Sequence, residues 1–216
     1  VSAVTFFDMD GTLVRSNTAR LYLSWRRDRG ETELVDMLRF GLWITQYKLG
    51  TVDPAEIGAR ALAQFRGVEE VVFREEMNEF FRERVLPDVM DDARREVELR
   101  RERGEQLVIL TASTPYVADP LAAELNIEHV ISSRLSVADG CFTGDTDALC
   151  YGSEKVRLAT EWAASAGVDL ERSAFYTDSV SDLPMLERVA EPRVVNPDPR
   201  LRWHARARGW ELSKWR

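Results

Sequence analysis

The chain predicts an α/β protein, a doubly wound parallel sheet with a small helical domain inserted after its first strand. Three observations carry this expectation. Short apolar runs recur between helical segments, at residues 4–7, 107–110, 129–131, 174–177 and 193–195, and strands separated by helices pair in parallel with helices covering the sheet. Residues 16–85 interrupt that alternation with apolar residues at helical spacing and no convincing strand. Three of the runs end in polar groups at Asp8, Thr111 and Asp178, and open α/β sheets bind ligands at the carboxyl ends of strands, near a reversal of strand order.

Within the insert, Leu21, Tyr22 and Trp25, then Leu34, Met37, Leu38, Leu42, Trp43 and Ile44, suggest two helices. Asp53-Pro54 reads as a helix start, with Asp as N-cap and Pro at the first helical position. Ile57, Ala61, Leu62 and Phe65 follow at helical spacing and Gly67 closes the segment. Val72, Phe73, Met77, Phe80 and Phe81 form a further apolar stripe ending near Pro87. The expectation is a four-helix insert over residues 15–86, with a core made of residues 1–14 and 87–216. In the core, a highly charged helix over 91–103 ends at Gly104, and another runs from 116 to 125. Asp139-Gly140 marks the turn of a hairpin over 135–144. A helix over 154–166 ends at Gly167, and the run at 193–195 reads as the last core strand.

Composition narrows the function classes. A net charge of −8 argues against a general nucleic-acid binder, whose affinity rests on basic surface. No stretch approaches the roughly 20 apolar residues of a membrane span. The first strand begins at once, without room for a leader peptide, so the expected location is cytoplasmic. Cys141 and Cys150 have no metal-ligand spacing and read as free thiols. Residues 200–216 interleave Arg200, Arg202, Arg206, Arg208, Lys214 and Arg216 with Trp203, Trp210 and Trp215. Such a segment can bind nucleic acid or anionic lipid. Because the rest of the chain is acidic, the preferred expectation is a final helix and strand that pack the tryptophans on the core.

The most informative run is Phe6-Phe7-Asp8-Met9-Asp10-Gly11-Thr12-Leu13. Alternation along a strand starts Asp8 and Asp10 on one side with Met9 opposite. Two acids held close do not both ionise cheaply without a cation. The segment therefore offers a nucleophile, a proton donor and half a metal site. Taken alone it is also an ordinary acidic turn. The same holds elsewhere: Thr111, before Ala112 and Ser113, serves equally as a strand-end hydroxyl, Lys155 as a solvated lysine and Asp182 as a helix-start acid.

Together, strands ending in acid, hydroxyl and acid, with one lysine before the last, resemble the four ordered motifs of the haloacid dehalogenase superfamily of phosphohydrolases. The helical insert, the hairpin before Lys155 and the Gly152-Ser153-Glu154-Lys155 run resemble its phosphoserine-phosphatase-like branch. The resemblance implies a helical cap over the active site and an Asp8 nucleophile that becomes an aspartyl-phosphate. It implies that Asp10 acts as acid and then base. Thr111, with Gly11, Ala112 and Ser113, would hold phosphoryl oxygens, and Lys155 would neutralise charge. Mg2+ would be held by Asp8, the Asp10 carbonyl and Asp178, with Asp182 completing the site directly or through water. The implied function is a magnesium-dependent phosphomonoester hydrolase acting on a small phosphorylated molecule. Phosphotransfer to an acceptor hydroxyl and non-catalytic phospho-ligand binding are the alternatives.

Two departures bear on the substrate. Phosphoserine phosphatases carry an acid nine residues after the nucleophile, to pair with the substrate ammonium; here that position is Asn17, a candidate substrate contact without the charge, which argues against phosphoserine. Where that branch often has Ser-Gly-Gly, this chain has Thr111-Ala112-Ser113, which narrows the space beside the phosphate. The insert is also rich in aromatics (Tyr22, Trp25, Phe40, Trp43, Tyr47), expected mostly to pack helix on helix. Arg15, Arg20, Arg26 and Arg27 read either as contacts to an anionic substrate or as a solvated face.

Overall fold

A computed structural model describes residues 3–31 and 65–216. Six parallel strands form one sheet in the order β3-β2-β1-β6-β7-β8. They are β1 (Val4–Phe7), β2 (Gln106–Thr111), β3 (His129–Ser132), β6 (Ala174–Thr177), β7 (Glu191–Val195) and β8 (Glu211–Ser213). The strand order runs outward in both directions from β1, so the reversal lies between β1 and β6. The predicted hairpin is a separate antiparallel pair, β4 (Arg134–Ala138) and β5 (Cys141–Ala148). Its Asp139-Gly140 turn has positive φ at both residues, 51° and 78°, as a two-residue hairpin of this type requires.

Period-two alternation explains why the central strands read as unbroken apolar runs: both of their faces are buried. Phe7, Ile109, Tyr176 and Val195 lie in one hydrophobic cluster; Phe6, Val108, Leu110, Phe175 and Val194 lie in the other. The first cluster is covered by α3 (Asp91–Glu102), through Ala93 and Val97, and by α4 (Pro115–Glu124), through Val117 and Leu121. The second is covered by α5 (Ser153–Ala166), α6 (Leu183–Leu186) and α7 (Pro199–Arg208).

Among the described residues, two α-helices lie within the expected insert. In α1 (Thr18–Asp28), Trp25 is buried; in α2 (Glu70–Phe80), Phe73, Met77 and Phe80 are. Tyr22 and Trp25 meet Phe80 at ring distances of 5.4 and 5.7 Å, and Trp25 Nε1 donates to Glu83 at 2.7 Å. Tyr22 and Trp25 thus pack as helix-helix contacts. The helices expected around 34–44 and 54–62, with Phe40, Trp43 and Tyr47, lie outside the described residues.

Two expectations need correcting and one refining. Val72, placed on the apolar stripe, is 53% exposed. Full burial of Phe73, Met77 and Phe80 is worth about 1.5–3 kcal/mol each, and Val72 is about 100° around the helix from Phe73. The run at 193–195, read as the last core strand, is followed in the sheet by β8, the strand expected after the final helix, which pairs with β7 beyond it. Glu211 and Leu212 are exposed on this edge strand, so no apolar run announced it. Trp210 and Trp215 do pack against the core, but Trp203 is 67% exposed. The inward positions of α7 are Leu201 and Ala205, and a residue two from each points to the opposite side.

Candidate active site

Strand parity decides what Asp8 meets. It follows Phe6 in alternation, and Phe6 faces the cluster under α5, the helix that carries Lys155. The Asp8 amide still donates to the Tyr176 carbonyl at 2.9 Å, so the ladder between β1 and β6 runs on into the site. Lys155 Nζ donates to Asp8 Oδ1 at 2.7 Å and to Asp182 Oδ2 at 2.8 Å. All three residues are buried, Lys155 and Asp182 to within 2%. Thr177 Oγ1 donates to the same Asp182 oxygen at 2.7 Å. The lysine that alone read as solvated is thus clamped by acids more than a hundred residues apart and between strands.

Beyond Asp8 the chain turns tightly. The Met9 carbonyl accepts from the amides of Thr12, Leu13 and Val14, and Gly11 adopts φ +73°. Asp10 consequently faces the start of α1. Its Oδ2 accepts from Asn17 Nδ2 at 2.8 Å and its Oδ1 from the Thr18 amide at 3.1 Å. Asn17 is also the N-cap of α1, its Oδ1 accepting from the Arg20 amide at 3.2 Å. The predicted substrate contact therefore has both ends of its amide engaged within the protein. A Cβ on Gly11 would lie 2.3 Å from Asp178 Oδ2, so only glycine leaves room for that carboxylate.

The Asp178 loop is pinned from β7's far end. The Asp198 amide donates to the Asp178 carbonyl at 2.8 Å, and Asp198 Oδ2 accepts from the Val180 amide at 2.7 Å. Asp198 Oδ1 also caps α7. The sequence reading missed Asp198, Thr177 and Thr18. Asp198-Pro199 carries the helix-start signature recognised at Asp53-Pro54, which was the available signal. At the end of β2, Thr111 is buried and its hydroxyl oxygen accepts from the Ser113 amide at 3.1 Å. Ala112 is exposed and Ser113 half-buried, just ahead of the amino end of α4. Arg15 lies 3.8 Å from Asp88, Arg26 pairs with Glu31 and Glu76, and Arg27 pairs with Asp28. Arg20 is exposed.

The electrostatics are unbalanced. Burial raises Asp8 well above the ordinary carboxylate range; Lys155 pulls it back and Asp182 pushes it up. Burial lifts Asp10 to about 6, against the Thr18 hydrogen bonds. Asp178 rises to about 8 through burial and then through the charges of Asp8, Asp182 and Asp10. Burial pulls Lys155 down, but Asp182 and Asp8 outweigh it and hold the ammonium above its usual range. Burial pushes the nearby Cys150 thiol up to about 12, which leaves it a poor nucleophile.

Among the described residues, no three acidic, histidine or cysteine side chains already converge as a ligand cluster. The donor set nevertheless fits a hard divalent cation. Four carboxylates are coupled to one lysine, Asp182 Oδ1 is buried without a partner, and the Asp178 carboxylate packs against a glycine. An open groove of about 540 Å³, lined by residues including Leu186, Pro192 and Trp210, lies at the amino end of β7, away from these acids.

The sequence profile of the haloacid dehalogenase-like hydrolases matches residues 5–187. A Mycobacterium tuberculosis protein named as a phosphoserine phosphatase is 31% identical over 224 residues, taking in 100% of this chain and 72% of the relative. A histidinol-phosphatase of Neisseria meningitidis is 25% identical over 217 residues, 97% of each chain. The crystal structure of a Bordetella pertussis protein of unknown function matches with a TM-score of 0.89 at 26% identity, covering 99% of this chain and 98% of that one.

Proposed function

Because the chain belongs to the haloacid dehalogenase-like hydrolases and is a phosphatase, we propose that it hydrolyses a small organic phosphomonoester through a phosphoryl group carried on Asp8. The observation that supports this most is the Lys155 ammonium shared between Asp8 and Asp182, with Asp10 held apart by Asn17 and Thr18. One acid is thereby charge-compensated as a nucleophile and its neighbour is separately oriented as a proton carrier.

Lys155 occupies Asp8 Oδ1, so Oδ2 is the oxygen that attacks phosphorus as the ester oxygen leaves. Asp10 gives its proton to that leaving oxygen. It then takes one from the water that attacks phosphorus and frees Asp8. A pKa of about 6 suits both directions near neutral pH. The Thr111 hydroxyl, its oxygen already accepting from Ser113, has its proton to donate to a phosphoryl oxygen. The amino end of α4 favours anionic charge there. Magnesium would be held by Asp8, Asp178 and the Asp10 carbonyl, with Asp182 behind them, and when bound it neutralises developing phosphoryl charge. Residues 15–86 serve as the cap. Asn17 offers no carboxylate for an ammonium group, which disfavours phosphoserine as substrate.

The test is phosphate release across a panel of phosphorylated metabolites, with magnesium or chelator, for wild type and Asp8→Asn. The expected result is turnover that needs magnesium and Asp8, with a phosphoryl adduct on acid-quenched wild type. Turnover that survives in Asp8→Asn overturns the mechanism.

A further inference from the structure

We propose that Asn17 is a positioning residue for Asp10 rather than a substrate contact, a proposal that rests on the acid–base reading of Asp10 above. Both ends of its amide have a partner in the protein: Nδ2 donates to Asp10 Oδ2 at 2.8 Å while Oδ1 accepts from the Arg20 amide at 3.2 Å. The Thr18 amide takes the other Asp10 oxygen at 3.1 Å. Both oxygens of the proton carrier are thus gripped by one helix terminus, whose partial positive charge favours an anion there.

That terminus is itself fixed. Trp25, in α1, is 1% exposed, stacked near Tyr22 and Phe80, and tied to Glu83. From the other side, the three amides converging on the Met9 carbonyl hold the turn that carries Asp10. Asp10 therefore sits between two rigid supports, and the Asn17 amide is a side-chain link between them. An aspartate held in the Asn17 rotamer would set an oxygen 2.8 Å from Asp10 Oδ2 and would compete for the proton that Asp10 has to deliver. The amide has the same shape and supplies a donor instead. The departure at position 17 exchanges recognition of an ammonium group for orientation of the acid.

The experiment measures kcat and KM of the full chain, with magnesium, on p-nitrophenyl phosphate and phenyl phosphate. These aryl esters are alike in shape, but phenoxide leaves less readily and depends more on protonation. Asn17→Ser keeps a good N-cap and removes the donor to Asp10. The expected result is a loss in kcat/KM, which reports the leaving-group step, of about tenfold on phenyl phosphate and under about twofold on p-nitrophenyl phosphate. Asp10→Asn is expected to show the same split, larger. Equal losses of kcat/KM on both esters in Asn17→Ser overturn the proposal while leaving Asp10 as the acid. An Asp10→Asn variant without the split removes the acid reading, and the proposal with it.

Discussion

Two buried cations lie against the same sheet and are served very differently. Arg100, on α3, and Lys155, on α5, are each 2% exposed. Arg100 sits near the amino ends of β2 and β7. Its guanidinium donates to Glu96, to both oxygens of Glu105, to Glu191 and twice to the Tyr176 hydroxyl. Those acids keep contact with water, and the Arg193 and Arg100 hydrogen bonds help hold Glu191 below its usual range. At the carboxyl ends of β1 and β6 the balance reverses. Four acids share one lysine, Asp8, Asp10 and Asp178 are pushed upward, and one Asp182 oxygen has no partner. A charge cluster built for stability is saturated. The one built for chemistry has negative charge to spare, which a divalent cation would neutralise.

The sharpest way to break this contrast is to remove each cation. Lys155→Met is expected to lower kcat by about 10²–10³-fold, read by phosphate release. Arg100→Met should instead cost about 3–5 kcal/mol in urea unfolding and leave kcat of the folded protein near wild type. If Arg100→Met abolished activity without loss of stability, the contrast would fail. Gly11→Ala forces a Cβ onto Asp178 at a strained φ, and should raise the magnesium concentration for half-maximal activity by roughly tenfold.

Asp178 sharpens the comparison through pH. Its folded pKa of about 8 lies above the ordinary 3.8, so the folded state holds a proton that the unfolded chain releases first. Metal-free stability should therefore fall as pH rises from about 4 to about 8, with Asp10 adding to the fall up to about 6. Asp178→Asn should flatten that slope and stabilise the metal-free protein at pH 8 by roughly 0.5–2 kcal/mol, while abolishing turnover. Thermal melts with and without magnesium across this range check both. The smallest effect is expected at Trp203, where Trp203→Ser should change stability by less than about 0.5 kcal/mol.

What was legible followed from how each feature is encoded. β1, β2 and β6 are buried on both faces, so they stand out as apolar runs, and the polar residues that end them are conspicuous. Edge strand β8 is exposed and polar, so a final strand was expected there from the tryptophan and arginine pattern rather than from an apolar run. Asn17 was legible as a departure from a pattern, but not in its role. Its two partners, Asp10 and the Arg20 amide, meet it only because the Met9 turn folds the chain back onto α1. Asp198 was hidden for a similar reason, since its hold on the Asp178 loop joins residues about twenty apart across β7.

Local patterning sufficed for the doubly wound core and for the carboxyl and hydroxyl groups at its strand ends, because periodicity is a local property of the chain. The order of the motifs sufficed for the resemblance to the phosphatase family. Only the tertiary structure decided that Lys155 is a clamped cation rather than a solvated one and that Asn17 faces Asp10. It also decided that Trp203 points to solvent. Each of those outcomes depends on which distant element supplies the neighbouring surface, and burial and charge pairing are set by that surface, not by the residue itself.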